Sequence, residues 1–221
     1  MSSNQTPGSA ALAYPHRGLP VLACHWPTPA ELPQFCSCGA LDCPTPARHP
    51  LGTLTASDAT RELGQLSRWW LAHPAANLAT FTDAARVGVI ELHHPELVHP
   101  ANPDRVLRLL RVRGADPCPV IWAGPGRLQF LVQPGQLGAD PAPVPAGPSD
   151  PFAAERSAVT PLASGTLLLL PPSRLMSGQR LGWKRRPCHA SRLATATPLL
   201  EQLTDLIDTG ALSDLQALLS K

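Results

Sequence analysis

Three cysteines fall within eight residues, in Cys36-Ser-Cys38-Gly-Ala-Leu-Asp-Cys43, and His49 follows six positions later. Thiolate and imidazole are zinc ligands, and three of the first with one of the second make a closed tetrahedral structural site. Gly39 lets the loop fold back so that its sulfurs converge. Pro44, Pro46 and Pro50 stiffen the arm that carries His49. His25 or Cys24 could replace His49 as the fourth ligand, and a loop of free thiols is the plainer alternative. A disulfide staple explains the spacing poorly, because Cys36 and Cys38 are too close to pair without strain. Cys118 and Cys188 read as isolated small residues.

Two further groups could do chemistry. The apolar run Val87-Gly-Val-Ile-Glu91-Leu-His93-His94 carries one acid and two imidazoles. Glu91 could hold a cation, or could simply pair with Arg86 or Arg127. With His99, the two imidazoles could form a transition-metal site, or could be solvated residues after a strand. Basic residues gather at Ser173-Arg174 and at Trp183-Lys184-Arg185-Arg186. A ring among cations suits a single-strand binding surface, and an ordinary basic turn is the alternative.

Composition bounds these readings. The chain has 221 residues, 43% hydrophobic and 15% charged, with a formal charge of +2. No strong overall field draws it to nucleic acid or membrane. Its 27 prolines and 16 glycines make about a fifth of the chain, below the roughly 25–30% of disordered sequences. Only Lys184 and Lys221 are lysines, so arginine supplies nearly all the basic charge. That bias fits either GC-rich coding or selection for bidentate phosphate contacts. No apolar stretch approaches a membrane span, and Met1 to Ala11 lack the pattern of a secretory signal. A soluble, cytoplasmic α+β (α/β) protein is expected.

The elements that must position these residues follow from periodicity and punctuation. Residues 1–9 are expected to be unstructured, residues 10–190 to form the main domain and 191–221 a helical C-terminal segment. A short helix over Ala10–Tyr14 stops at Pro15. Strands are predicted over Pro20–His25, Asn77–Thr82, Val87–Leu92, Val120–Ala123, Leu128–Val132, Leu167–Leu170 and Leu181–Lys184. The Cys/His loop covers 34–50. Ser57 caps a helix that runs to about Ala72 and presents Leu63, Leu66, Trp69 and Trp70. Asn102 caps a second helix with Pro103 in its first turn and Gly114 after it. A proline-rich excursion spans 134–161. Thr197 and Pro198 open a third helix with Leu199, Leu200, Leu203, Leu206 and Ile207 on one face. Leu212–Leu219 forms a last helix.

The order of motifs carries a resemblance. Tyr14-x-x-Arg17-Gly18-Leu-Pro20 precedes the cysteine cluster. Asp58 opens the helix that ends in Trp69-Trp70, with Pro74-x-x-Asn77 beyond it. An apolar strand with a central acid follows, then Gly126-Arg127-x-x-Phe130, then Leu170-Pro171-Pro172-Ser173 with Gly178 and Trp183. This resembles the N-terminal domain of bifunctional DNA primase/polymerases, within the archaeo-eukaryotic primase superfamily. It is most similar to the short stand-alone versions common in actinobacteria. The resemblance implies a small sheet related to RNA-recognition folds, with a further α/β module carrying a zinc loop. It also implies acids on adjacent strands that hold two divalent ions, magnesium or manganese, for nucleotidyl transfer.

Departures from that pattern fall at its catalytic positions. Glu91 stands where the family has an acid, but His93 stands where a second is common. Gln129 occupies the place of a nucleotide-contacting histidine. The stretch Ser164-Gly165-Thr166-Leu167 offers no third acid. Arg127, Gln129, Ser173, Arg174, Lys184, Arg185 and Arg186 are the candidate nucleotide or phosphate contacts. Phosphoryl transfer depends on metal neutralisation and positioning, so this set implies a catalytically degenerate pseudoenzyme that binds nucleotide or single-stranded nucleic acid. The alternatives are an active primase/polymerase using Glu91 and His93, and a regulatory scaffold that meets a protein partner through 197–219.

Overall fold

The computed structural model describes residues 6–29, 35–99, 101–117, 119–134, 158–187 and 193–212. Cys118, Cys188, residues 135–157 of the proline-rich excursion and nearly all of the expected last helix lie outside them. The described strands are β1 (Leu22–Cys24), β2 (Asn77–Phe81), β3 (Gly88–His93), β4 (Val120–Trp122), β5 (Arg127–Val132), β6 (Ala158–Leu162), β7 (Leu167–Leu170) and β8 (Gly182–Arg185). The α-helices are α1 (Pro7–Ala11), α2 (Leu63–Ala72), α3 (Asn102–Val112) and α4 (Ala196–Asp208). The strands form two antiparallel sheets, ordered β1-β2-β7 and β6-β3-β5-β4-β8. The chain divides into two compact units, one built mainly from 1–86 and 164–182, the other from 87–145, 149–163 and 183–221. Among the described residues, no helix is long and apolar enough to cross a membrane.

In the first unit, α1 and α2 accompany the three-stranded sheet. Its buried residues include Tyr14, Leu22, Leu66, Trp70, Leu78 and Leu170. The first helix begins earlier than expected. Thr6 caps it by accepting the Ser9 N–H at 3.3 Å, and Pro7 supplies the fixed φ of a first turn. The helix expected from Ser57 is two elements instead. Ala56–Asp58 is a single 3₁₀ turn closed on itself, because Asp58 accepts the Thr55 N–H at 2.7 Å. Thr60 then exchanges two backbone hydrogen bonds of 2.9 Å with Val21. That pairing holds residue 60 extended, so α2 starts only at Leu63. Leu66 and Trp70 are buried, whereas Leu63 is exposed.

The second unit is a mixed layer of helix on sheet. β3, α3, β4, β5 and β6 in chain order give the sheet order β6-β3-β5-β4, a split β-α-β arrangement. One face supplies Ile90, Leu92, Leu128, Phe130 and Val132 to a core shared with Val106, Leu107 and Leu110 of α3. Leu199, Leu203 and Leu206 of α4 join the same core. The leucine-rich stripe of the C-terminal segment therefore packs back on the sheet. Arg113, the residue that ends α3, forms an ion pair with Asp205 of α4. The strand β6 overlaps the end of the stretch 134–161 expected to be an excursion. Pro161 is tolerated there because β6 is an edge strand, paired only with β3, and needs no second ladder of N–H donors.

Candidate functional site

The Cys/His loop hangs on β1. His25 N–H donates to His49 O at 3.0 Å and Leu51 N–H to Ala23 O at 3.1 Å, so the His49 arm runs beside the strand. Gly39, at φ +81°, donates to Cys36 O at 3.1 Å and closes the knuckle between the first two sulfurs. The ligand atoms of Cys36, Cys38, Cys43 and His49 lie within 4.8 Å of one another. His49 Nε2 is 3.4 Å from the sulfurs of both Cys36 and Cys43. A tetrahedron with ordinary zinc–sulfur and zinc–nitrogen bonds has an edge of about 3.6 Å, so the donors fit a bound ion. Burial pushes the Cys43 thiol up to about 11, so a cation entering the group must displace protons.

The alternative fourth ligands do other things. Cys24 is fully buried, and burial raises its thiol far above the usual range. His25 places Nδ1 at 2.8 Å from Ser37 Oγ and lays its ring against that of His49, with centroids 4.3 Å apart. Burial, and then the positive character of His49 and His73, hold its pKa below the ordinary value. It supports the ligand ring from outside the donor group.

The Pro-Pro-Ser element has a structural task. Pro171 and Pro172 have no N–H, so β7 cannot continue its ladder with β2 past Leu170. Ser173 takes over with its side chain. Its hydroxyl donates to Leu78 O at 2.8 Å and accepts the Leu78 N–H at 2.8 Å. Ser173 is fully buried, so the hydroxyl expected to face a phosphate is occupied within the unit. Asn77, also fully buried, accepts the Arg174 N–H at 2.8 Å and donates to Arg174 O at 2.9 Å and Ala47 O at 3.2 Å. Arg174 itself is exposed. The sequence marks Asn77 only as part of a motif. Its role as a brace depends on Ala47 and Arg174, which are remote along the chain.

On the five-stranded sheet, the strand register puts the remaining candidates on the face opposite α3 and α4. Glu91 lies directly across from Gln129 on β5 and Thr160 on β6, and His93 across from Arg127 and Ala158. Gln129 Nε2 donates to Glu91 Oε2 at 2.8 Å, and Arg127 Nη1 is 3.7 Å from Glu91 Oε1. The cation beside Glu91 is thus Arg127. Residues 164–167, where the family pattern expects a third acid, precede and begin β7 in the other sheet. The neighbour of Glu91 on the adjacent strand is Thr160. Strand pairing is non-local, so periodicity could not single it out. His93 packs on Gly126, where a Cβ would come 3.3 Å from its Nε2.

The three imidazoles do not combine. His94 Nδ1 accepts the Glu96 N–H at 3.2 Å and His99 Nδ1 the Ala101 N–H at 3.3 Å, so both serve as turn caps. Burial lowers the pKa of His94, which favours the neutral acceptor that the cap requires. Among the described residues, the metal-ligand group that forms is Cys36, Cys38, Cys43 and His49. The basic turn is also largely neutralised. Lys184 Nζ is 3.1 Å from Asp104 Oδ2, and Arg185 pairs with Asp116 and donates to Pro117 O at 3.2 Å. These contacts pin β8 at the sheet edge. Arg186 is exposed and Trp183 half-buried.

Fold and sites together define a mixed α/β chain with a closed Cys/His loop on one sheet and a polar row across the other. The family model described as bifunctional DNA primase/polymerase, N-terminal, matches residues 11–199 of the 221, and the chain belongs to that family. Searches of the curated proteins and of the solved structures found no match.

Proposed function

We propose that this chain is a primase/polymerase-like module that has lost nucleotidyl transfer and retains binding of nucleotide or single-stranded nucleic acid, with zinc as the ion of its Cys/His loop. The observation that carries the loss is the state of Glu91. Its carboxylate accepts from the Gln129 amide and stands beside the Arg127 guanidinium. Two-metal phosphoryl transfer needs several anionic oxygens bridging two dications. Here a single carboxylate is already balanced by a cation, and its strand neighbours are an amide and the hydroxyl of Thr160. A dication at this position would be repelled by Arg127 and left with too few oxygen ligands.

Primer synthesis and primer extension with magnesium or manganese test the reading. Incorporation at the level of buffer, unchanged by Glu91→Ala, is the expected result. Robust incorporation abolished by Glu91→Ala would overturn it. Retained binding predicts that nucleotides or oligonucleotides raise the melting temperature to the same extent with and without magnesium, since a ligand stabilises whatever folded state binds it.

A further inference from the structure

We infer that the outer side of α3, with Arg105, Arg108 and Arg111, is a docking surface for the sugar-phosphate backbone of single-stranded nucleic acid. This rests on the binding half of the reading above and gives it a location. The two sides of the helix do different work. Val106, Leu107 and Leu110 enter the core of the second unit, whereas Asp104, Arg108, Arg111 and Val112 are exposed and Arg105 is half-buried. The three arginines recur at every third position. Residues three apart are neighbours on a helix surface, so they form one continuous row. The row rises about 4.5 Å at each step and falls about 60° short of a full turn.

The basic residues of β8 contribute through what they neutralise. The segment 102–116 holds four arginines and two acids, Asp104 and Asp116. Lys184 Nζ is 3.1 Å from Asp104 Oδ2, and Arg185 pairs with Asp116. Arg111 Nε also lies 3.4 Å from Asp116 Oδ1, so one carboxylate stands between two guanidinium groups. Both acids are thereby offset from β8, which has no acid of its own. Arg105 donates at 2.9 Å to the neutral Asn102 Oδ1, and among the described residues neither Arg105 nor Arg108 forms a salt bridge. Like charges so spaced on a helix repel, and a line of anions relieves the repulsion. Phosphate matches the planar fork of arginine. The row is spread over about 9 Å of helix axis, which suits successive phosphates of a chain better than the clustered phosphates of one nucleotide. An anionic bilayer would need an exposed apolar face beside the cations, and the apolar side of α3 is used in the core.

The test is binding of a fluorescent single-stranded oligonucleotide by the full chain across a salt series. R105Q/R108Q is compared with R61Q/R68Q, which removes the same charge at exposed positions of the first unit, and circular dichroism checks that each variant is folded. R105Q/R108Q is expected to bind at least about fivefold more weakly at low salt. Its log–log salt slope should be shallower by about 1.4, the value for two lost single-strand phosphate contacts. R61Q/R68Q should match the wild type. D104N removes an exposed carboxylate from the row and should tighten binding by at least about twofold, a gain that misfolding could not produce. Wild-type affinity and slope in R105Q/R108Q, or unchanged affinity in D104N, would overturn the α3 surface while leaving the binding function standing. Displacement of the oligonucleotide by polyglutamate of matched charge as readily as by unlabelled oligonucleotide would overturn the assignment to phosphate and point to an acidic protein segment. A wild-type chain that binds neither oligonucleotide nor nucleotide would overturn both the surface and the binding function.

Discussion

Ser173 shows how a residue can carry a family motif and still perform structural work. Its hydroxyl stands in for the N–H groups that Pro171 and Pro172 lack, and both of its hydrogen bonds go to Leu78. Ser173→Ala leaves a buried donor and a buried acceptor unsatisfied. Each such group costs about 1–3 kcal/mol, so urea unfolding should report a loss of about 2 kcal/mol or more. Ser173→Ala should leave oligonucleotide affinity nearly unchanged in protein that remains folded. Glu91 is a different case. The pairing with Arg127 was among the alternatives legible in the sequence. Its hydrogen bond to Gln129 and its neighbour Thr160 were not, because both depend on which strands lie side by side.

At the scale of elements, the Cys/His loop is the part most fully predictable from spacing. Its four ligands are local, and a glycine and three prolines restrict the intervening chain. We expect the purified chain to contain one zinc ion, measured by atomic emission. Removal by chelator should lower the melting temperature, because a ligand of the folded state contributes its binding free energy to folding. The loop should also lose metal on acidification. Burial raises the metal-free Cys43 thiol to about 11, so protons compete for the sulfur throughout the neutral range, and apparent zinc affinity should rise with pH. The region around Ser57 behaved otherwise. Local propensity favours a helix there, but two backbone bonds from Thr60 to Val21 outweigh it.

For the whole molecule, the notable feature is how the chain is shared between two sheets. The segment 164–182 returns to the first unit, and 183–221 goes back to the second. The C-terminal helix α4 is an integral layer of the second unit, with Leu199, Leu203 and Leu206 among its core residues. Leu203→Ala should cost about 2–5 kcal/mol, the usual range for a fully buried leucine. Truncation after residue 194 should yield aggregating protein by size-exclusion chromatography. A well-folded truncated chain that has lost only a binding partner would contradict this placement.

Patterns that are complete within about ten to twenty residues could be read directly from the amino-acid order. These include the metal loop, most strands, the existence of the α3 and α4 helices and the family to which the chain belongs, but not the caps, because Asn102 and Thr197 lie inside their helices, which begin after Ala101 and Thr195. Their physical causes are local, namely φ restriction by proline and glycine and apolar periodicity. Tertiary structure alone decided which polar groups are available for function. It paired Lys184 and Arg185 with Asp104 and Asp116, buried Ser173 against Leu78, and set Gln129 and Arg127 against Glu91. Those partners lie tens of residues away along the chain, and hydrogen bonding and ion pairing act through space.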